Sequence, residues 1–172
     1  MNMQEGLARL NSASAAEAES ELLKCCGSTT WARRMEAHRP FGDAQELLSA
    51  ADEIWQSLRE NDWLEAFDAH PKIGGQKAAR EQDAQAQNWS EQEQSGARSA
   101  AQETLDALAE ANRAYEEKFG HIFIVCATGK SAAEMLDILR ARLPNDARTE
   151  LHNAAEEQRK ITRLRLEKLL AT

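Results

Sequence analysis

Over 172 residues the chain sets 21 Lys and Arg against 29 Asp and Glu, a formal net charge of −8, and is 42% apolar but only 5% aromatic. That length fits one domain, 1–172, with a single core, and the acidic balance offers no electrostatic footprint for a phosphate backbone, so no nucleic-acid partner is expected. No apolar run approaches the roughly 20 residues that cross a bilayer, and the first residues lack the basic-then-apolar plan of a signal peptide, so the expectation is a cytoplasmic protein without a membrane partner.

Taken in chain order, residues 1–13 read as a loose arm or short helix. Ser14 with Glu17 has the spacing of a capping box, predicting a helix over 15–26 that stops at Gly27. One or two turns over 31–37 end at Arg39-Pro40. Asp43 with Glu46 repeats the capping signal for a helix to about residue 60, whose apolar face is Leu47, Leu48, Ala51, Ile54, Trp55 and Leu58. Asp62 with Glu65 opens a shorter helix that must end near His70, because proline disfavours the helical conformation in the residue before it, and Gly74-Gly75 then allow a turn.

The polar stretch 76–88 reads as a surface loop or frayed helix. Ser90 starts a long helix closed by Gly120. The run 121–127, rich in β-branched residues, is strand-like, but one strand cannot make a sheet, so it is expected to be an extended segment threaded through helices. Ser131 with Glu134 caps a helix to about 143, and 146–170 forms the last one. The expected fold is an all-α, single-domain bundle of about seven to nine helices with one short extended segment near 121–128.

Three cysteines, Cys25, Cys26 and Cys126, form no CxxC pair and read as buried free thiols. The four histidines, His38, His70, His121 and His152, include no Asp/Glu-x-x-His pair, so neither a zinc nor a di-iron site is indicated. Considered singly, His70 is a helix-end cap, Ser90 and Glu93 are a capping box, and Arg163 and Arg165 are helix-surface arginines.

The motifs taken together and in order carry more. CCGS at 25–28, RPF at 39–41, DWLEAFDAHPKIG at 62–74, WSEQEQSGA at 89–97, NRAYEEKFGHIFIVCATGKSAAEML at 112–136, RLPN at 142–145 and KITRLRLEKL at 160–169 resemble the 2-oxo-4-hydroxy-4-carboxy-5-ureidoimidazoline (OHCU) decarboxylases. The resemblance runs from about Cys25 to the end of the chain. It implies a homodimeric carboxy-lyase of urate breakdown that converts the small molecule OHCU to (S)-allantoin with no cofactor and no metal. Its catalytic histidine would be His70 and its catalytic carboxylate Glu93. Substrate would be held by Pro71, Ser90, Gln94, the segment Phe123, Ile124, Val125, Cys126 and Ala127, and a pocket arginine that matches Arg165 better than Arg163.

One departure stands out. Where many relatives read Phe-Gly-Phe-Pro-Phe, this chain has Phe119-Gly120-His121-Ile122-Phe123, and His121 carries no assigned role. Two other readings of the chain are a hydrolase acting on a neighbouring intermediate of purine catabolism and a non-catalytic helical interaction module.

Overall fold

Three of the helix starts are set by reciprocal capping. Asn2, Ser14 and Ser131 accept from the backbone N–H groups of Glu5, Glu17 and Glu134 at 2.9, 3.3 and 3.1 Å, and each glutamate returns a bond to the cap backbone. The last two of these starts are the ones expected from S-x-x-E spacing. In the computed structural model, which describes residues 2–71 and 102–172, the elements are α1 (Met3–Ser12), α2 (Ala15–Cys25), α3 (Thr29–His38), α4 (Ala44–Gln56), α5 (Glu60–Asp68), α6 (Gln102–Phe119), α7 (Ala132–Arg142) and α8 (Ala147–Ala171). Eight helices and no strand among the described residues make the fold all-α, as expected.

Residues 2–13, left open as arm or helix, form α1 and its cap. The helix expected to run to about 60 stops at Gln56, where the Ser57 hydroxyl donates to the carbonyl of Ile54 at 2.7 Å and closes the turn. The expected pairing of Asp62 with Glu65 does not cap α5. Glu65 instead accepts from the backbone N–H and hydroxyl of Thr29 at 2.6 and 3.1 Å, so its carboxylate serves the start of α3, and α3 is correspondingly longer than the expected 31–37. Asp62 accepts from Thr30 at 2.8 Å and from the Arg59 N–H at 3.3 Å.

The chain forms two compact units. The first comprises Met1–Ala66 with Arg159–Thr172. Its core is built on Leu22, Trp31, Met35, Leu47, Leu166 and Leu170, all fully buried. The apolar face expected of α4 is buried at Leu47, Leu48, Ala51, Trp55 and Leu58, with Ile54 at its margin. Trp31 hides its ring completely and satisfies its indole N–H on the Ala51 carbonyl at 3.1 Å, as a buried polar tip requires.

The RPF motif has a structural task in this unit. Arg39 donates to the carbonyls of Leu10 and Ala13 at 2.6 and 2.8 Å, filling bonds that the C-terminal end of α1 cannot make internally. Phe41 exchanges two bonds with Asn11 at 2.8 and 2.9 Å.

Gly6 lies inside α1, where glycine is normally unfavourable, because α8 passes against it: a Cβ there would sit 2.0 Å from the Leu170 carbonyl oxygen. Backbone meets backbone at this point, so no side-chain rotation can relieve the clash. Gly6→Ala is therefore expected to destabilise the protein by about 3 kcal/mol, despite the better helix propensity of alanine. At this chain length that lowers Tm by roughly 10 °C, and a thermal melt checks it. An unchanged Tm would mean that the two helices are not this close.

The second unit is Phe67–Gln158. α6 ends at Gly120, whose φ of +77° is the left-handed conformation that releases the chain from the helix, while its N–H still bonds the Glu116 carbonyl at 2.9 Å. Residues 122–127 then form neither a helix nor, among the described residues, a paired strand. Phe123 to Ala127 are 2–9% exposed, and the alternate residues Phe123, Val125 and Ala127 pack with Leu108, Tyr115, Met135 and Leu139. Their β-branched and apolar composition thus reflects burial on both faces rather than sheet formation.

Candidate active site

α5 owes its length to Trp63, Leu64 and Phe67 on one side and to Pro71 at its end. Pro71 biases His70 away from helix, and the His70 N–H makes a final turn bond to the Phe67 carbonyl at 3.1 Å. The half-buried imidazole is held from the side by α8: its Nε2 lies 2.5 Å from Oε1 of Gln158, a fully buried residue. His70, Pro71 and Gln158 belong to the second unit, as does the whole extended segment.

That segment is tied down by side chains. Arg142 of α7 donates from Nη1 to the Ile124 carbonyl at 2.7 Å, Lys130 donates to the Cys126 carbonyl at 2.8 Å, and the Cys126 N–H donates to Glu157 of α8 at 3.3 Å. A buried segment outside helix and sheet needs such partners, because among the described residues no neighbouring strand satisfies its polar groups.

Arg142 is itself fixed. It pairs with Glu150 through Nε and Nη2 at 2.9 and 2.8 Å, and lies over the Phe123 ring at 4.8 Å. The Glu150 carboxylate is wholly buried and also accepts from Tyr115 at 2.5 Å and from Asn145 and Asn153, each at 2.9 Å. Burial is the largest single influence on this carboxyl and acts to raise it, but the combined donors Arg142, Tyr115, Asn145 and Asn153 outweigh it and hold Glu150 below the ordinary carboxylate range. Burial, and then the bond to Glu150, push the Tyr115 phenol well above its usual value, so it stays a neutral donor.

His121, which carried no role, packs its ring against Phe67 and Tyr115 at 5.4 and 5.6 Å, and its Nδ1 lies 3.0 Å from the Ile122 carbonyl. It serves as an aromatic element of this core.

The arginines of α8 divide in the first unit. Arg163 reaches Asp52 at 3.3 Å, a carboxylate it shares with Arg159 at 3.1 Å. Arg165 is only 7% exposed. Its charge acts on both thiols of the CCGS motif, lowering them, yet burial dominates: Cys25 is pushed well above its usual value and Cys26 up to about 12. Thr162 and the Ser28 backbone also bond the Cys26 thiol. These two cysteines are buried free thiols, as expected, and so is Cys126.

A polar cleft of about 380 Å³ in the first unit, lined by Thr30, Arg34, Ser57, Arg59 and Asp62 among others, contains none of the sequence-predicted site residues. Its side chains largely satisfy one another, Thr30 on Asp62 at 2.8 Å and Arg34 on Ser57 at 3.1 Å.

His70 and Pro71 thus belong to the same unit as Phe123, Ile124, Val125, Cys126 and Ala127, while Arg165 belongs to the first. Ser90, Glu93 and Gln94, the expected loop over 76–88 and the start of the helix at Ser90 lie outside the described residues. Sequence reasoning missed Gln158 and the set formed by Tyr115, Arg142 and Glu150. Gln158 is 88 positions from its partner, so no local spacing points to it; RLPN marked Arg142, though not what it holds.

Comparison with known proteins converges on one family. The family model described as OHCU decarboxylase matches residues 11–167. A uric acid degradation bifunctional protein of Arabidopsis thaliana is 43% identical over 155 residues, covering 89% of this chain and 47% of that protein. A 2-oxo-4-hydroxy-4-carboxy-5-ureidoimidazoline decarboxylase of Amia calva is 30% identical over 132 residues, 77% of this chain and 75% of that one. The chain spans about half the length of the Arabidopsis relative and 32% of a bifunctional relative from a Bacillus species. Among solved structures, an OHCU decarboxylase crystallised in the presence of (S)-allantoin shares 41% identity and a TM-score of 0.77, covering 89% of this chain and 99% of that one.

Proposed function

The chain belongs to the OHCU decarboxylase family, and from that premise we propose that it converts OHCU to (S)-allantoin without a cofactor, His70 being the proton-transfer group. The observation that carries this reading is the placement of His70. Its imidazole projects from a proline-locked helix end and is held by a buried amide, so it is oriented before any substrate arrives.

The substrate carries its own electron sink. The carbon that bears the carboxylate also bears a hydroxyl and adjoins a C=N bond. When the bond to the carboxylate breaks, its electron pair moves into the neighbouring C=N, whose nitrogen takes a proton, and CO2 leaves. The resulting enol then gives up its hydroxyl proton while the adjacent carbon gains one, which yields the carbonyl product; one proton is consumed for each carboxylate lost as CO2. Nothing in that sequence calls for pyridoxal phosphate, thiamine or a metal.

The protein's share is orientation and proton traffic to one face. An imidazole titrates near neutral pH and passes protons in both directions. Glu93 is assigned the hydroxyl or ring N–H protons, with Ser90 and Gln94 holding the ureido and imidazoline edges. Phe123 to Ala127, a segment clamped through Ile124 and Cys126, would supply backbone contacts beside Pro71. Arg165, buried unlike Arg163, suits a carboxylate or carbonyl.

The family resemblance further supports a cytoplasmic homodimer in which residues 1–172 act as one catalytic domain. The function is tested by starting from urate with the upstream activities supplied and following CO2 release and the circular dichroism of (S)-allantoin. Faster formation of both with the protein than without it is expected. Unchanged rates would refute the assignment.

A further inference from the structure

We propose that Gln158 is a positioning residue that fixes His70 as the Nε2–H tautomer, leaving Nδ1 as the proton-accepting nitrogen. Gln158 is fully buried on α8 and presents its amide oxygen to Nε2 at 2.5 Å. An amide oxygen only accepts, so the ring nitrogen facing it must carry the proton. A buried amide oxygen must accept a hydrogen bond, and the His70 ring supplies one. The main chain of His70 is anchored separately, through its N–H on Phe67 and the ring of Pro71. The imidazole is therefore held at both its backbone and its far edge.

The amide suits a group that must both accept and release a proton. In the neutral ring and in the imidazolium alike, Nε2 bears a hydrogen, so the bond to Gln158 survives proton uptake at Nδ1 and the ring need not turn between the two halves of the reaction. A carboxylate at this position would orient the ring equally well but add a negative charge that favours the imidazolium. Gln158 orients without that bias.

The proposal deepens the decarboxylase reading and rests on it for its catalytic meaning, but the tautomer is observable without substrate. Long-range proton–nitrogen correlation spectra of the resting protein, with the His70 ring assigned from its absence in His70→Asn, should show a pyrrole-type Nε2 and a pyridine-type Nδ1. Gln158→Met, which keeps the volume and removes the acceptor, should shift that pattern toward averaged tautomers and lower kcat by about 10²-fold with KM little changed. Gln158→Glu, which keeps an acceptor, should retain Nε2–H, and when its spectra are recorded at a pH high enough to hold the ring neutral it reports the tautomer even if the methionine variant folds poorly. An Nδ1–H tautomer in the unmodified protein, or nitrogen signals and kcat unmoved in Gln158→Met, would overturn the proposal. A protein with the stated tautomer but no decarboxylation would instead count against the function.

Discussion

His70→Asn is expected to leave a folded protein whose kcat/KM for OHCU falls by about 10² to 10⁴, the range that a single positioned acid–base group supplies. Asparagine preserves a polar side chain of similar reach but cannot carry a proton back and forth near neutral pH. The fold should tolerate the change, because His70 is half-buried just beyond the end of α5, and its backbone bond to Phe67 does not depend on the side chain. Far-ultraviolet dichroism and a melt separate loss of chemistry from loss of structure. Turnover unchanged in this variant, or in His70→Ala, would take the imidazole out of the mechanism.

Arg142→Met should have the largest effect on stability of any single replacement argued from this structure. It leaves the Glu150 carboxylate buried without its cation, and breaking such a pair from one side costs about 3 to 5 kcal/mol. It also removes the donor to the Ile124 carbonyl, so the extended segment loses a clamp as well as the core its charge balance. Chemical denaturation should show the midpoint falling with an unchanged slope. A variant as stable as the parent would mean that the ion pair contributes nothing net.

The same carboxylate sets an acid limit. Because the folded value of Glu150 lies below its ordinary 4.5, its contribution is fully present above about pH 4.5 and is lost as the pH falls through the lower, folded value. Glu150→Gln lacks this titration, so the stability gap between the parent and this variant should narrow in acid. A gap that stays constant down to strongly acid pH would remove Glu150 from the acid response.

What could be foreseen from sequence follows the distance over which each signal acts. The boxes at Ser14 and Ser131 are closed within one turn, and their spacing states them outright. Asp62 and Glu65 show the same spacing, yet they bond Thr30 and Thr29, 32 and 36 positions earlier, because packing in the first unit offers those partners a better geometry. The run after Gly120 was readable as extended from its β-branched residues, while its clamps were not, since Arg142 lies 18 positions from Ile124 and its fixing partner Glu150 8 further on. Pro71 explains why the chain breaks at His70; that Gln158 receives the ring is a tertiary fact.

The most direct test of the central claim, that His70 delivers the proton traffic of a cofactor-free decarboxylation, is to run the reaction from freshly generated OHCU in deuterated water and read both the label and the handedness of the product. A planar enol set free in solution is protonated on either face, whereas one held in a chiral site is protonated on one. Rapid formation of singly carbon-deuterated (S)-allantoin is expected with the unmodified protein, and slow, racemic product with His70→Asn. Racemic product at the spontaneous rate with the unmodified protein, or single-handed product formed as fast by the asparagine variant, would contradict that claim.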